Sequence, residues 1–310
     1  MISAFQNVKG GARKLNTGFY IPLIGLGTYK LKGEQMKPAV DAALSCGYRM
    51  FDTAKYYENE SDLGEALSEL LPKYDLSRTD IFLTTKLFPD PDDPAGGANK
   101  LLMESLKMLR TDYIDMVLIH YPKAKELDEK DERNSLHRKL TYLELEKLKA
   151  RHCLSYIDMV LIHYPKAKEL DEKDERNSLH RKLTYLELEK LKDEGKIRSV
   201  GVSNYESRHI EEIKCYGKMM PCANQVEYHP HFTRDQLKNY CAVEGIFFQT
   251  ILLSWALSQG VGIIPKSANP ERIIENMKVT ELSLSKEEIE LLHGLNRDQH
   301  YVRCYGWRVL

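Results

Sequence analysis

The sequence predicts an α/β fold, a closed (β/α)8 TIM barrel with an N-terminal β-hairpin and an extra C-terminal helix. Three observations predict it. Eight short runs of β-branched and aromatic residues alternate with amphipathic helical stretches. The chain has 310 residues, a length that eight βα units fill as one domain, residues 1–310. Polar residues stand at the C-terminal ends of six of the runs, where such barrels carry their sites.

The elements follow in order. KLNTGFYIP reads as the hairpin, with its turn at residues 16–18. LIGLGTY is the first barrel strand and EQMKPAVDAALSCGY its helix. RMFDTA is followed by ESDLGEALSELL, and IFLTTK by NKLLMESLKMLR. YIDMVLIH is the fourth strand. IRSVGVSN precedes ESRHIEEIKCYG, CANQVEYH precedes TRDQLKNYCAVEG, and GIFFQT and VGIIPKS are the last two strands. PERIIENMKV and SKEEIELLHGL add two helices. The rival doubly wound fold needs G-x-G-x-x-G at an early strand-to-helix turn. Gly25 and Gly27 begin that pattern, but Lys30 takes the third place. The two glycines read as a tight strand end.

One unit occurs twice. Residues 113–149 and 156–192 are identical over 37 positions, with Tyr113 and Tyr156 43 positions apart. Each copy holds one strand, a charged loop (KAKELDEKDERN) and one helix. Two identical copies do not make a solenoid, which shows three or more drifting ones. An eight-stranded barrel needs one unit. Lys86 to His120 is 34 residues and His163 to Ser203 is 40, both ordinary spacings for one unit. The expectation is therefore that the first strand and the second helix are used. The stretch between would be extruded, with the Val-Leu-Ile of the second strand exposed.

Composition excludes several function classes. Hydrophobic residues make up 42% and charged residues 29%, as in ordinary globular proteins. The net charge of −1 gives no electrostatic case for nucleic acid or an anionic membrane as partner. Six cysteines (Cys46, Cys153, Cys215, Cys222, Cys241, Cys304) lack C-x-x-C spacing and read as reduced thiols of a cytoplasmic protein. The N-terminus lacks the apolar run of a signal peptide, and no stretch of 18 apolar residues occurs. A monomer with no obligate protein partner is expected.

The strand ends supply the chemistry. Asp52 ends the second strand, with Tyr57 five residues on. Lys86 ends the third, His120 or His163 the fourth, Ser203 and Asn204 the fifth, Gln225 the sixth, Lys266 and Ser267 the eighth. No nucleophile–base pair and no carboxylate pair suited to glycoside hydrolysis stands among them. His229-Pro230-His231 is the one H-x-H, and it reads as local packing, so no metal is expected. What remains is proton transfer. A phenol is a poor acid near neutrality, and a neighbouring lysine cation lowers its pKa. An aspartate orients the lysine, and a histidine aligns a substrate oxygen. That set suits protonating an oxygen while something else supplies a hydride. Arg272 and Asn276 lie at i, i+4 on the helix after Lys266 and Ser267, a grouping that suits a phosphate.

GYRMFDTAKYYENESDLG, IFLTTK, MVLIHYP, SVGVSN, NQVEYHP and IIPKSANPERIIEN, in that order, resemble the aldo-keto reductases. Met50 is a mild departure within the first motif. The resemblance implies NADPH-dependent reduction of aldehydes and ketones. It implies Tyr57 as proton donor, Asp52 and Lys86 tuning it, and His120 (or its duplicate His163) orienting the carbonyl. It implies nicotinamide contacts by Ser203, Asn204 and Gln225. Further cofactor contacts are implied for Gly27, Thr28, Lys266, Ser267, Arg272, Glu275 and Asn276, with the 2′-phosphate at the last group. Tyr29 matches the aromatic pocket position. GIFFQTILLSWALSQG departs from the family: it runs the seventh strand straight into a helix. The family carries there a loop over the pyrophosphate and a tyrosine that stacks on the nicotinamide. The alternative expectation is therefore a catalytically weak or inactive cofactor-binding barrel.

Overall fold

The computed structural model describes residues 5–88, 94–119, 141, 157–162, 165, 175–195, 197–250, 254–299 and 301. The first strands form the hairpin, β1 (Ala12–Lys14) and β2 (Tyr20–Pro22), paired with Lys14 opposite Tyr20. Gly18, at φ 90°, supplies the left-handed turn residue. Leu15 and Ile21 of this hairpin pack into the barrel interior, so it floors the barrel.

Nine parallel strands follow in sequential order. They are β3 (Leu26–Gly27), β4 (Met50–Asp52), β5 (Phe82–Leu87), β6 (Ile114–Ile119), β7 (Ile157–Ile162), β8 (Ile197–Ser203), β9 (Ala223–Gln225), β10 (Phe247–Thr250) and β11 (Gly262–Ile263). Parallel bridges from Ile24 to Ile263 and from Gly27 to Lys266 join the first strand to the last and close the barrel. All eight expected strand runs are strands. The described helices are α1 (Met36–Cys46), α2 (Glu60–Leu70), α3 (Pro94–Met108), α4 (Glu175–Asp193), α5 (Ser207–Tyr216), α6 (Asp235–Val243), α7 (Ser254–Ser258), α8 (Pro270–Lys278) and the C-terminal α9 (Lys286–His293).

The copied unit departs from expectation. Neither of its strands is extruded. β6 and β7 lie side by side in register, Leu118 opposite Leu161, and β7 continues onto β8. The physical reason is packing. Met116, Leu118, Met159 and Leu161 are all buried in the barrel interior, together with Met50, Phe82, Phe247 and Ile264. Val117 and Val160 are buried on the outer side, beneath the helices. An extruded second strand would have put Val160, Leu161 and Ile162 into water, at about 1.5–3 kcal/mol for each large side chain. Pairing an identical strand in register buries all three. Gly201 on β8 completes the fit: a Cβ there would lie 2.2 Å from Leu161 Cδ2. Gly25 does the same for Met50, whose Cγ lies 2.8 Å from where a Cβ would be. That contact gives the unusual Met50 its place. The second copy's helix, α4, leads into β8 as expected. The charged loop of the first copy lies outside the described residues, and of the second only its last three residues, Glu175, Arg176 and Asn177, are described, where they open α4.

Candidate active site

The strand order places the polar residues at one end of the barrel. Asp52 closes β4 and pairs in register with Gly27 of β3 and Thr84 of β5. Lys86 is the penultimate residue of β5. Tyr57 ends a one-turn 3-10 helix, Lys55–Tyr57, that follows β4. Lys86 is buried, with 4% exposure, and its ammonium makes three contacts. It donates to Asp52 Oδ1 at 2.6 Å, to the Thr53 carbonyl at 2.9 Å and to Tyr57 Oη at 3.1 Å. An ammonium has three donors and no acceptor. All three are committed, so Tyr57 Oη is the acceptor from Lys86 and its own hydrogen points to a different partner.

Burial works against the Lys86 charge, but Asp52 and Tyr57 outweigh it and hold the ammonium above the ordinary lysine range. Tyr57 differs from the sequence expectation. Burial pushes the phenol up, and the opposing pull of Lys86 offsets this only in part. Tyr57 is thus held as a neutral phenol, the form that can give up a proton. Asp52 Oδ2 is buried without a partner among the described residues, which leaves Lys86 as the carboxylate's hydrogen-bonding neighbour there. Tyr29, 46% exposed, packs its ring on Tyr57 with centroids 4.9 Å apart. His120 and His163 both lie outside the described residues.

The second group stands on β8 and β9. Ser203 Oγ donates to the Gln225 carbonyl at 2.7 Å, and Asn204 Nδ2 donates to Ser203 Oγ at 3.2 Å. Asn204 sits at φ 58°, a left-handed position that turns the chain out of β8. Gln225 Oε1 is buried with no partner among the described residues. An orphaned amide acceptor beside a serine and an asparagine fits a ligand carboxamide, whose N–H would satisfy it. The third group lies past β11. Lys266 bridges to Gly27, and Ser267 Oγ accepts from the Asn269 N–H at 3.1 Å. Asn269 caps α8 by accepting from the Arg272 N–H at 3.0 Å. Lys266, Arg272 and Glu275 are exposed and Asn276 is half-buried along this end. Two exposed cations with a serine beside a helix start fit a phosphate. Thr28, fully buried, ties the first strand to the site by donating both its N–H and its hydroxyl to the Asp52 carbonyl.

Two features alter this site. β6 and β7 both stand between Lys86 on β5 and Ser203 on β8, where a single copy would leave one strand. The added strand widens that gap by about 4.8 Å. Three residues, 251–253, separate β10 from α7, and they lie outside the described residues. The H-x-H pair packs locally: His229 Nε2 meets Glu227 Oε1 at 3.0 Å and His231 Nδ1 meets Tyr301 Oη at 2.6 Å. Among the described residues no group of metal-ligating side chains is arranged to hold an ion. Cys46, Cys215, Cys222 and Cys241 are free thiols; Cys153 and Cys304 lie outside the described residues. Sequence reasoning missed the Thr53 carbonyl, because a backbone acceptor leaves no mark in the side-chain pattern.

A closed parallel barrel with a buried Asp–Lys–Tyr chain at its C-terminal end, and polar groups across its mouth that fit an amide and a phosphate, is the arrangement of a barrel oxidoreductase. The Aldo/keto reductase family profile matches residues 23–151, 129–248 and 232–297, and the chain belongs to that family, an oxidoreductase of the carbonyl-reducing kind. The first two matches overlap within the copied unit. The chain is 31% identical to Aldo-keto reductase family 1 member A1-A of Danio rerio over 339 residues, covering 93% of this chain and 90% of the relative. It is 29% identical to the glyoxal reductase of Bacillus subtilis (strain 168) over 316 residues, covering 92% and 93%. The aldose reductase of Schistosoma japonicum superposes with a TM-score of 0.69 at 27% identity, covering 96% of this chain and 95% of that one. No helix among the described residues is long and apolar enough to cross a membrane.

Proposed function

We propose that the chain is a cytoplasmic NADPH-dependent reductase that converts small aldehydes and ketones to alcohols. The observation that carries this reading is the buried chain Asp52–Lys86–Tyr57. NADPH, when bound, supplies the hydride. Ser203, Asn204 and Gln225 would hold its carboxamide, with the buried, unpartnered Gln225 Oε1 suited to an amide N–H. Lys266, Ser267, Arg272 and Asn276 would hold the 2′-phosphate, with Glu275 beside them, and Gly27 and Thr28 form the adjoining strand edge. Tyr57 donates its proton to the carbonyl oxygen as that oxygen gains negative charge. Lys86, already donating to Tyr57 Oη, stabilises the phenolate that is left, and Asp52 keeps the ammonium in place. His120 or His163 orients the carbonyl, and Tyr29 forms an aromatic wall of the pocket.

A second reading, a barrel that binds the cofactor but turns over slowly, is favoured by the added strand between the two halves of the site. Lys86→Met separates the readings. It removes the cation from the proton donor while leaving the contacts on β8, β9 and α8. Carbonyl reduction followed as NADPH oxidation should fall by about 10²–10⁴-fold with NADPH binding retained. Turnover equal to that of the unaltered chain would rule out proton delivery through Tyr57 and Lys86.

A further inference from the structure

Asn59 is fully buried two residues after Tyr57, at the N-cap position of α2. An asparagine there ordinarily turns its side chain onto the first free N–H groups of the helix. This one makes no such cap. Its Nδ2 donates to the Thr28 carbonyl at 2.8 Å and to the Leu31 carbonyl at 2.7 Å. Its Oδ1 accepts from Thr53 Oγ1 at 2.8 Å. Both amide hydrogens are therefore used to join segments distant in sequence.

Those segments are the ones that set the geometry of Tyr57. The loop from Thr28 to Leu31 carries Tyr29, whose ring lies on Tyr57. Thr53 supplies the carbonyl that takes one hydrogen of Lys86. Thr28 closes the circuit by donating to the carbonyl of Asp52, the residue that takes a second. We propose that Asn59 is a positioning residue for proton delivery: through Thr53 it fixes the orientation of the Lys86 ammonium, and through Thr28 and Leu31 it holds the Tyr29 ring against Tyr57. The proposal rests on the reading of Tyr57 as proton donor.

Lys86 has three hydrogens and three acceptors, so the angle at which it meets Tyr57 Oη is determined by where Asp52 and the Thr53 carbonyl stand. Loosening Thr53 lets the ammonium turn away from the phenol. Tyr57 then keeps the burial that raises its pKa and loses the cation that opposes it. The basic limb of the kcat profile moves to higher pH and kcat falls.

The test compares the full chain with Asn59→Asp, Thr53→Val and Tyr57→Phe, using nitrobenzaldehyde and NADPH. Asn59→Asp keeps the acceptor for Thr53 and removes both donors to the loop. Thr53→Val keeps shape and removes only the link between Thr53 and Asn59, so one variant remains if the other does not fold. In either variant kcat should fall at least about tenfold, with NADPH affinity within about twofold of the parent, and in Thr53→Val, which frees Thr53, the kcat profile should be displaced to higher pH. The Tyr57 resonance in protein carrying 13Cζ-tyrosine, identified by its loss in Tyr57→Phe, should titrate at higher pH in Thr53→Val. A structural role alone would lower the melting temperature and leave the kcat profile and the Tyr57 titration in place, and that result overturns the proposal. Full turnover in Tyr57→Phe overturns instead the reading on which it rests.

Discussion

Deleting residues 113–155 removes one copy in register, joining Asp112 directly to Tyr156 and restoring a single unit. In the order β5-β6-β7-β8, Lys86 and Ser203 stand three strand spacings apart, about 14 Å across the sheet. The deletion makes this two spacings, about 10 Å. The new contacts already exist in the molecule. β7 repeats the sequence of β6, so β5 meets it in the register that now pairs Lys86 with Leu118, and the β7–β8 pairing is untouched. A misplacement of about 1 Å between reacting groups can cost about 10²-fold, so moving Tyr57 and Lys86 about 4.8 Å toward Ser203 and Gln225 should raise kcat at least about tenfold. The short connection between β10 and α7 remains and limits the gain. The assay is NADPH oxidation with nitrobenzaldehyde, run beside thermal unfolding of both chains. The midpoint should hold or rise, with a sharper transition. A folded deletion protein with unchanged kcat, or one with a lowered midpoint, would show that the added strand does not hold the two halves of the site apart. The copy would then be part of the working barrel.

Other outcomes follow from the same structure. Arg272→Ala should weaken NADPH by about 1.5–3 kcal/mol while leaving NADH nearly unchanged, because a charged hydrogen bond to the 2′-phosphate is lost; equal losses in fluorescence titrations would place Arg272 elsewhere. His209 is buried and accepts from the Glu206 N–H at 3.0 Å. Burial first, and then the charges of Arg181 and Arg208, push it down to about 3. Its neutral form is favoured in the fold, so below the unfolded pKa of about 6.5 only the unfolded chain takes up the proton. Stability should fall with acidification from there toward pH 3, by at most about 1.4 kcal/mol per pH unit from this group. His209→Gln, which keeps a capping acceptor, should flatten that slope in denaturant titrations. An unchanged slope would mean the imidazole is not the group responsible.

Much of the barrel was legible because alternation is a backbone-period signal: strand runs and amphipathic stretches differ in repeat. Asp52 and Lys86 were legible as neighbours because they stand at the ends of β4 and β5, and Tyr57 because it follows β4 by five residues. The fate of the copied unit was not. Counting units assumes a barrel of fixed size. The deciding quantity is the apolar surface of Met116, Leu118, Met159 and Leu161, which nine strands can bury. The state of Tyr57 was half legible: a lysine neighbour can be read from motif order, but the burial that outweighs it depends on three-dimensional packing. The Thr53 carbonyl and the links through Asn59 belong to the same class, since a carbonyl identifies itself only once the chain is folded.

The proposed reduction depends on Tyr57 giving the proton. Its most direct test is Tyr57→Phe, which removes one oxygen from a residue packed against Tyr29 and leaves Lys86 joined to Asp52 and to the Thr53 carbonyl. The measurement is single-turnover reduction of nitrobenzaldehyde by enzyme preloaded with NADPH, with cofactor affinity determined on the same sample. NADPH binding should stay within about twofold of the parent and the rate of reduction should be lower by about 10²–10⁴-fold. A Tyr57→Phe chain that binds NADPH and reduces the aldehyde at the parent rate would contradict proton donation by Tyr57.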